Sequence, residues 1–407
     1  MARILFLAHR IPYPPNKGDK IRSWHMLEHL SAQHEVHLGY YVDDPRDLQH
    51  TVFLGSIVKS MAFEFVAKRQ QKMRAPLGLL TGQPLTLAAY PMGKLGRYCN
   101  ELMAHGDLDA IVLFSAAVAP LVFKRGAPPC PVVTDFVDVD SAKWASYGMS
   151  ARWPLSWLYQ REGKLLAAYE RMVAASSAAT LFVSEAEAEL FRAGVTSDVA
   201  ASVHAVCNGV DLKRFDPAKY DAALAITQKV IFTGAMDYAP NAEAAIWFVR
   251  HVWPLVKAKA PMAEFVIAGG PRTAEVDALA QPSSVSVLGY VDDMAAEIAK
   301  ASVVVAPLQT ARGIQNKVLE GMAMAKPVVA TPAAQEGIPA AVGTDLAVQS
   351  DPRAFAETIL HLMQHEGARN TMGSAARAFI EREHSWPTCL KRLDEILVAV
   401  QGHRGQV

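Results

Sequence analysis

The chain has 407 residues, with 40 Lys and Arg against 40 Asp and Glu, and 51% of its residues are hydrophobic. At roughly 100–200 residues per domain this length predicts two domains, and the apolar share excludes disordered, collagen-like and disulfide-scaffold proteins. The balanced charge argues against nucleic acid as the main partner, because neutralising phosphates requires a surplus of Lys and Arg.

Short apolar runs alternate with helical patterns along the chain, which is the layout of parallel α/β units. In the first half, strands are predicted over Arg3–Ala8, Glu35–Tyr41, Ala110–Phe114, Pro131–Val137, Thr180–Val183 and Val203–Val206. A helix that ends near Gln33 and an amphipathic helix over Gly163–Ala178 are also predicted. The turn-rich segment Cys207–Pro217 then predicts a domain boundary.

The same alternation starts again after this boundary. Strands are predicted over Lys229–Thr233, Glu264–Ala268, Val285–Leu288, Ser302–Ala306 and Pro327–Ala330, and helices over Ala242–Lys259, Gln315–Met324 and about Trp386–Val400. We therefore predict an α/β protein of two doubly wound parallel-sheet domains, residues 1–207 and 208–385, that face each other across a cleft. The C-terminal helix, residues 386–407, is predicted to pack back on the first domain.

The apolar run at the N-terminus is short, because His9 and Arg10 follow directly after Ile4–Ala8. Five residues are too few for the core of a signal peptide. No other stretch reaches the roughly 18 apolar residues that a membrane span needs. The sequence therefore predicts a cytoplasmic protein.

Peripheral contact with the inner face of the membrane is a further hypothesis. Lys68–Arg74 is strongly cationic, and Trp153 and Trp157 lie close to Arg152. Cationic and aromatic side chains together suit an anionic lipid surface. A solvated helix and two packed tryptophans would explain the same pattern.

Two nucleotide-binding fingerprints are absent from the sequence. Neither G-x-G-x-x-G after the opening strand nor G-x-x-x-x-G-K-[ST] occurs, which argues against an NAD dehydrogenase and a P-loop ATPase. His25, Glu28 and His29 match the H-x-x-E-H zinc pattern. Because the α/β layout does not suit that chemistry, we interpret them as ordinary helix residues and predict no metal site.

Asp138 and Asp140 form a D-x-D pattern at the end of a predicted strand. Carboxylates at this spacing can bind Mg²⁺ or Mn²⁺. Two other interpretations are open at this point: the acids cap a helix, or Asp138 acts as a general base or orients an acceptor.

The segment Ser302–Thr331 carries the clearest chemical signal. Its strand, loop and helix place free N–H groups and the positive end of a helix dipole at the ligand edge of the sheet, and Gly313 allows close approach of the backbone. Lys317 and Glu320 are three residues apart and share a helix face. Lys317 could neutralise a phosphate while Glu320 accepts hydrogen bonds from a sugar diol. A surface Lys–Glu pair is the alternative.

At these residues the sequence resembles a known family. Lys317–Ala330 resembles the donor-site helix of the group 1 retaining glycosyltransferases, which have the GT-B fold. Asn208–Asp211 with Phe215 is similar to the interdomain segment of that family, Gly289–Asp293 to its base-side loop, and Gly18 to its first glycine loop.

Three further segments resemble a narrower group, the sugar transferases found with exosortase-type exopolysaccharide systems. These segments are Pro12–Ser23, Thr233–Asn241 and Arg312–Lys317. The resemblance implies transfer from a nucleotide diphosphate sugar to a polysaccharide or lipid-linked glycan, with no cofactor and no obligate metal.

The resemblance also implies roles for individual residues. Donor contacts are expected from Gly234, Tyr290, Val291, Arg312, Gly313, Ile314, Asn316, Lys317 and Glu320. Gly18 and Asp19 are expected in the acceptor or phosphate loop, and Asp138 and Lys317 are the candidate catalytic residues.

The chain departs from the family pattern at several positions. Arg312 stands where the first Glu of the E-x7-E motif is expected, and Met236, Asp237 and Tyr238 stand in place of a frequent basic pair. Asp138 lies nearest to the position of a frequent catalytic-site His. Two alternatives therefore stay open: an epimerase of nucleotide sugars, and a protein that binds nucleotide sugars without catalysis.

Overall fold

The computed structural model describes residues 1–16, 18–124, 126–221, 228–311 and 313–402. The chain divides into two compact units, residues 1–207 with 390–407 and residues 208–389. The last part of the predicted C-terminal segment, residues 403–407, lies outside the described residues.

The first unit is built on a parallel sheet of seven strands in the order β3-β2-β1-β4-β5-β6-β7. The strands are β1 Arg3–Ala8, β2 Glu35–Val42, β3 Ser60–Phe65, β4 Ala110–Phe114, β5 Val132–Val137, β6 Ala179–Phe182 and β7 Val203–Ala205. Ile4–Ala8 is completely buried at the centre of this sheet, where Phe6 is in register with Leu38 and Val112. A continuous apolar run is what a strand covered on both faces requires.

Helices cover the two faces of this sheet. They are α1 Gly18–Gln33, α2 Thr51–Ile57, α3 Lys68–Arg74, α4 Leu77–Thr81, α5 Leu85–Ala88, α6 Gly93–His105, α7 Pro120–Phe123, α8 Asp140–Ser150, α9 Leu155–Ser176, α10 Glu185–Arg192 and α11 Ser197–Ala201. Short 3₁₀ turns occur over Pro45–His50 and Ala116–Val118.

The second unit has a parallel sheet of six strands in the order β10-β9-β8-β11-β12-β13. The strands are β8 Lys229–Thr233, β9 Glu264–Ala268, β10 Val285–Val287, β11 Val303–Ala306, β12 Val328–Ala330 and β13 Ala347–Val348. Its helices are α12 Ala239–Trp247, α13 Trp253–Lys259, α14 Ala274–Asp277, α15 Met294–Ala299, α16 Asn316–Ala323, α17 Pro332–Gln335, α18 Pro352–Gln364 and α19 Glu366–Glu383. The last helix of the chain is α20, Trp386–Gly402.

The two parallel-sheet α/β units confirm the predicted fold class, and several boundaries differ. The predicted helix Ala242–Lys259 is interrupted by a π-helical turn over Phe248–Val252, which ends two residues before Pro254. A proline removes a helical hydrogen bond, which accounts for a break at this point. The predicted helix Gly163–Ala178 begins earlier, at Leu155.

The histidines of the H-x-x-E-H pattern lie on α1 and contact carboxylates. His29 Nε2 is 2.8 Å from Asp394 Oδ1 on α20, and His25 Nδ1 is 3.2 Å from Glu28 Oε2. These contacts hold the side chains in ordinary hydrogen bonds.

Among the helices of the described ranges, none is both long and apolar enough to cross a membrane.

Candidate functional site

Two glycines bring the ends of β8 and β9 together in the second unit. Gly234 follows β8 with φ 155°, and Gly269 follows β9 with φ 122°. A Cβ at Gly269 would overlap the carbonyl oxygen of Gly234. Only glycine satisfies both the backbone angle and the close approach. Bare backbone therefore lines the carboxyl edge of the sheet, where open α/β folds bind ligands.

The ammonium group of Lys317 lies beside this bare backbone. Its Nζ donates to Gln315 Oε1 at 3.1 Å and lies 6.0 Å from the ring centroid of Phe232, in β8. Its Cε lies 3.4 Å from where a Cβ of Gly234 would be. Burial lowers the pKa of Lys317 to about 8, and the charge of Glu320 opposes this shift. A desolvated cation next to free backbone can bind an anion strongly.

Glu320 lies one turn further along α16. Burial raises its pKa to about 7, while the charges of Arg214 and Lys317 act in the opposite direction. Lys317 and Glu320 therefore share one partly buried helix face, as their spacing predicts. Neither group has the environment of a solvated surface pair.

The loop before α16 contains the other predicted donor residues. Gly313 has φ 64°, Ile314 is buried, and Asn316 is the first residue of the helix. Asn316 Oδ1 accepts a hydrogen bond from Asn208 Nδ2 at 3.4 Å. Among the described residues, no side chain caps the first turn of α16. The N–H groups of Val318 and Leu319 donate to the Gln315 carbonyl, so the N–H groups of Asn316 and Lys317 are the ones that could bind a ligand. Arg312 lies outside the described residues.

Tyr290 and Val291 continue the same edge after β10. The Tyr290 ring lies against Gly270, since a Cβ there would be 3.1 Å from Tyr290 Cδ2. The ring is 76% exposed, so it can present a flat face to a ligand. Asp293 ends this loop by capping α15, and its Oδ1 accepts from the N–H of Ala296 at 3.1 Å. Gly234, Gly269 and Gly270 thus link Lys317 to Tyr290 along one edge.

Sequence reasoning missed two polar groups at this edge. Asn241 is buried and donates from Nδ2 to the carbonyl of Ala235 at 2.9 Å. Within the described part of the chain, Asn241 Oδ1 and Thr233 Oγ1 are buried without a hydrogen-bond partner. Unsatisfied buried polar atoms are unfavourable and concentrate at functional sites. The sequence feature that could have identified Asn241 is the Pro-Asn pair at the start of a helix, a few residues after Gly234.

At the corresponding edge of the first unit, Asp19 belongs to a polar cluster. Gly18 and Asp19 open α1, and the Asp19 carboxylate pairs with Arg10 and lies 3.5 Å from His9 Nε2. Arg10 also contacts Asp43 at 3.3 Å. Burial alone would raise the pKa of Asp19, but the hydrogen bond from His9 and the charge of Arg10 outweigh it and hold the pKa below its usual range. His9, Arg10 and Asp43 were not identified from the sequence.

Asp138 follows β5 at a strained turn. The residue before it, Val137, has φ 70°, which is rare for a β-branched side chain. Burial, together with the charges of Glu187 and Asp140, raises the pKa of Asp138 to about 6, and the charge of Lys143 opposes this shift. A carboxyl group with this pKa can exchange a proton near neutral pH.

A buried ion pair supports this turn. Arg22 Nε donates to Asp135 Oδ2 at 2.8 Å, and both side chains are completely buried. Asp135 Oδ1 accepts from the N–H of Val137 at 2.9 Å. The pair therefore fixes the unusual backbone directly before Asp138.

The D-x-D acids do not cap the helix that follows them. Asp140 is the first residue of α8, and its cap position, Val139, makes no side-chain cap. Instead, the Val139 N–H donates to Glu187 Oε2 at 2.7 Å and the Ser141 N–H donates to Glu170 Oε1 at 3.1 Å. Other carboxylates satisfy these N–H groups, so the helix-cap interpretation of Asp138 and Asp140 is wrong.

Part of the second unit is similar to a known protein family. Residues 227–365 match the family described as glycosyl transferases group 1. The matched region contains Gly234, Tyr290, Lys317 and Glu320. The match lies within the second unit.

One curated relative is the GDP-mannose-dependent monoacylated alpha-(1-6)-phosphatidylinositol monomannoside mannosyltransferase of Corynebacterium glutamicum. It is 31% identical over 212 residues, which are 47% of this chain and 54% of that protein. The chain thus spans about half the length of the curated relative it matches.

Two solved structures cover nearly the whole chain. HepE of Anabaena, in complex with UDP and glucose, has a TM-score of 0.65 at 14% identity and covers 98% of this chain and 100% of its own. The sucrose-phosphate synthase of Thermosynechococcus elongatus has a TM-score of 0.70 at 13% identity and covers 99% and 100%. These similarities, with the two parallel-sheet units, establish the GT-B fold.

Proposed function

We propose that the chain is a glycosyltransferase that moves a sugar from a nucleotide diphosphate sugar to a polysaccharide or a lipid-linked glycan, with retention of anomeric configuration. The observation that carries this proposal is the partly buried Lys317 ammonium beside the bare backbone of Gly234, at the start of α16. The matched family region and the mannosyltransferase relative support the same activity.

The proposed chemistry concerns the diphosphate leaving group. In the transfer, the bond from the sugar C1 to the diphosphate breaks and its electron pair leaves with the nucleoside diphosphate. Lys317 and the N–H groups at the start of α16 would stabilise this growing negative charge. Because they are already in position, little reorganisation is needed, which is how preorganised donors accelerate a reaction. The exposed ring of Tyr290 would lie at the base of the nucleotide.

The first unit would hold the acceptor. As retention in one transfer requires, the acceptor oxygen would form the new bond to C1 on the face that the diphosphate leaves, and its proton would pass to a base on that face, the role we assign to Asp138. Its pKa of about 6 suits this role near neutral pH. Gly18 and Asp19 lie at the carboxyl edge of the same sheet, where His9 and Arg10 position the Asp19 carboxylate.

We further propose that the activity belongs to exopolysaccharide synthesis in the cytoplasm, with peripheral contact at the membrane. Support comes from the resemblance of Pro12–Ser23 and Thr233–Asn241 to transferases of such systems. The lipid-linked acceptor named for the Corynebacterium relative is consistent with a glycan on a lipid carrier.

The decisive experiment is donor turnover in the presence of a chelator. We expect release of nucleoside diphosphate from UDP-, GDP- or ADP-sugars to depend on a glycan acceptor and to persist in EDTA, because Lys317 and backbone N–H groups would neutralise the diphosphate. Loss of turnover in EDTA, with recovery in Mn²⁺, would contradict this and would assign a metal role to Asp138 and Asp140. Donor conversion without an acceptor would indicate an epimerase, and binding without turnover a non-catalytic protein.

Glu320 is expected to bind the ribose hydroxyls of the donor. A hydrogen bond to a charged group contributes about 1.5–3 kcal/mol, so Glu320→Gln should raise the donor KM roughly ten- to a hundredfold. The contact to the ribose is the same in the bound substrate and in the transition state, so kcat should change little. The matched control is Glu357→Gln, an exposed glutamate of α18. If both variants behave like the wild type, the donor site does not include Glu320.

A further inference from the structure

The first unit exposes large apolar side chains on two segments that are about 75 residues apart in sequence. On α4, Leu80 is 85% exposed and both Leu77 and Leu79 are exposed. Trp153, two residues before α9, is 82% exposed, and Trp157 in the first turn of α9 is 56% exposed. Soluble proteins seldom leave such side chains clustered in water unless they bind something there.

Direct hydrogen bonds hold these two segments together. Arg161 Nη2 donates to the carbonyl of Gly78 in α4 at 2.8 Å. The buried carboxylate of Glu162 accepts from the N–H groups of Leu85 and Thr86 at 2.8 and 2.9 Å. Trp157 and Arg161 are four residues apart and lie on the same face of α9. The exposed leucines and Trp157 therefore belong to one surface.

The segments that form this surface carry charged side chains of a single sign. Residues 65–81 contain four Lys or Arg and residues 151–161 contain two, and neither segment contains Asp or Glu. Lys68, Arg69 and Lys72 of α3 and Arg152 are exposed. The whole chain has a net charge of zero, so the excess of positive charge here is local.

We propose that this surface, formed by α3, α4 and the start of α9, docks on a bilayer that contains anionic lipids. Leucine and tryptophan side chains partition into the boundary between headgroups and acyl chains, and surrounding cations are attracted to anionic headgroups. An anionic lipid surface satisfies both the apolar and the cationic part of this region. The inference rests on the peripheral membrane contact of the proposed function and deepens it by naming the surface and the lipid, and its test requires no transferase activity.

The test is co-sedimentation of the full chain with vesicles, in the absence of any donor. We expect binding to vesicles of phosphatidylcholine with phosphatidylglycerol, weaker binding at high salt, and little binding to phosphatidylcholine alone. The double variant Trp153→Ser/Trp157→Ser should bind at least tenfold more weakly. The control Met262→Ser removes an exposed apolar side chain from the second unit and should bind like the wild type.

A charge series completes the test. Lys68→Gln/Arg69→Gln/Lys72→Gln should weaken binding by roughly fivefold for each cation removed. Lys259→Gln/Lys391→Gln changes exposed cations elsewhere and should have little effect.

Two results would overturn the proposal. The first is wild-type binding that does not exceed the binding of the tryptophan variant. The second is a wild-type dimer that the tryptophan variant dissolves, which would assign the surface to a second copy of the chain. A melting curve for each variant shows whether it is folded, and turnover of a soluble donor tests the transferase activity separately.

Discussion

Lys317→Ala is expected to lower kcat by about 10²- to 10³-fold while the donor KM changes much less. In the proposed transfer, the ammonium group would lie where negative charge grows as the bond to the diphosphate breaks, so its loss should affect the transition state more than the bound substrate. Steady-state kinetics with saturating acceptor measures this difference. Equal effects on kcat and KM from a folded variant would place Lys317 outside the reaction centre.

Lys326 provides a matched control. Burial also lowers its pKa to about 8, but its Nζ donates to the carbonyl of Ala299 at 2.7 Å and not to the glycine edge. Lys326→Ala should therefore reduce stability without a selective loss of kcat.

In the wild type, kcat/KM should fall as the pH rises through about 8, because Lys317 loses its positive charge above its pKa. Lys317→Arg should shift this decline to much higher pH.

Arg22→Leu is expected to reduce the free energy of unfolding of the first unit by about 3–5 kcal/mol. The substitution leaves the Asp135 carboxylate buried without its cation. It also removes a contact that holds Asp135 in position, and Asp135 Oδ1 accepts the hydrogen bond from the Val137 N–H. Urea denaturation followed by circular dichroism measures the loss. Adding Asp135→Asn to Arg22→Leu should restore part of it, because the unpaired charge disappears.

The control for this prediction is an ion pair of similar length at the surface. Arg392 Nη1 lies 2.9 Å from Glu395 Oε2, and both side chains are about half exposed. Arg392→Leu should change stability by less than about 1 kcal/mol. Equal losses for Arg22→Leu and Arg392→Leu would show that burial of the first pair does not matter.

Most of the fold can be predicted because the central strands are covered on both faces. Ile4–Ala8 and Val303–Ala306 are continuous apolar runs, and such runs need no tertiary information to be recognised. The strands β3 and β13 were missed. β3 is an edge strand whose residues are all partly exposed, and β13 has only two residues. Neither gives a clear periodic signal.

The candidate site could be predicted only where its residues are close in sequence. Lys317 and Glu320 share a helix face, so their spacing alone places them together. The neighbours of Asp19 come from other elements, since Arg10 follows β1 and Asp43 follows β2. The strained turn before Asp138 likewise depends on Arg22, more than 100 residues away. Such contacts follow from sheet order, which a single sequence does not specify.

The back-to-back contact of Gly234 and Gly269 has a consequence for enzyme engineering. Any side chain at Gly269 would collide with the Gly234 carbonyl, so single-codon diversification of this position should yield few folded variants. Tyr290 is the more accessible position for changing the proposed donor preference, because its ring extends from this edge into solvent. A library aimed at a new sugar nucleotide would keep the glycine pair fixed and vary the residues that surround it.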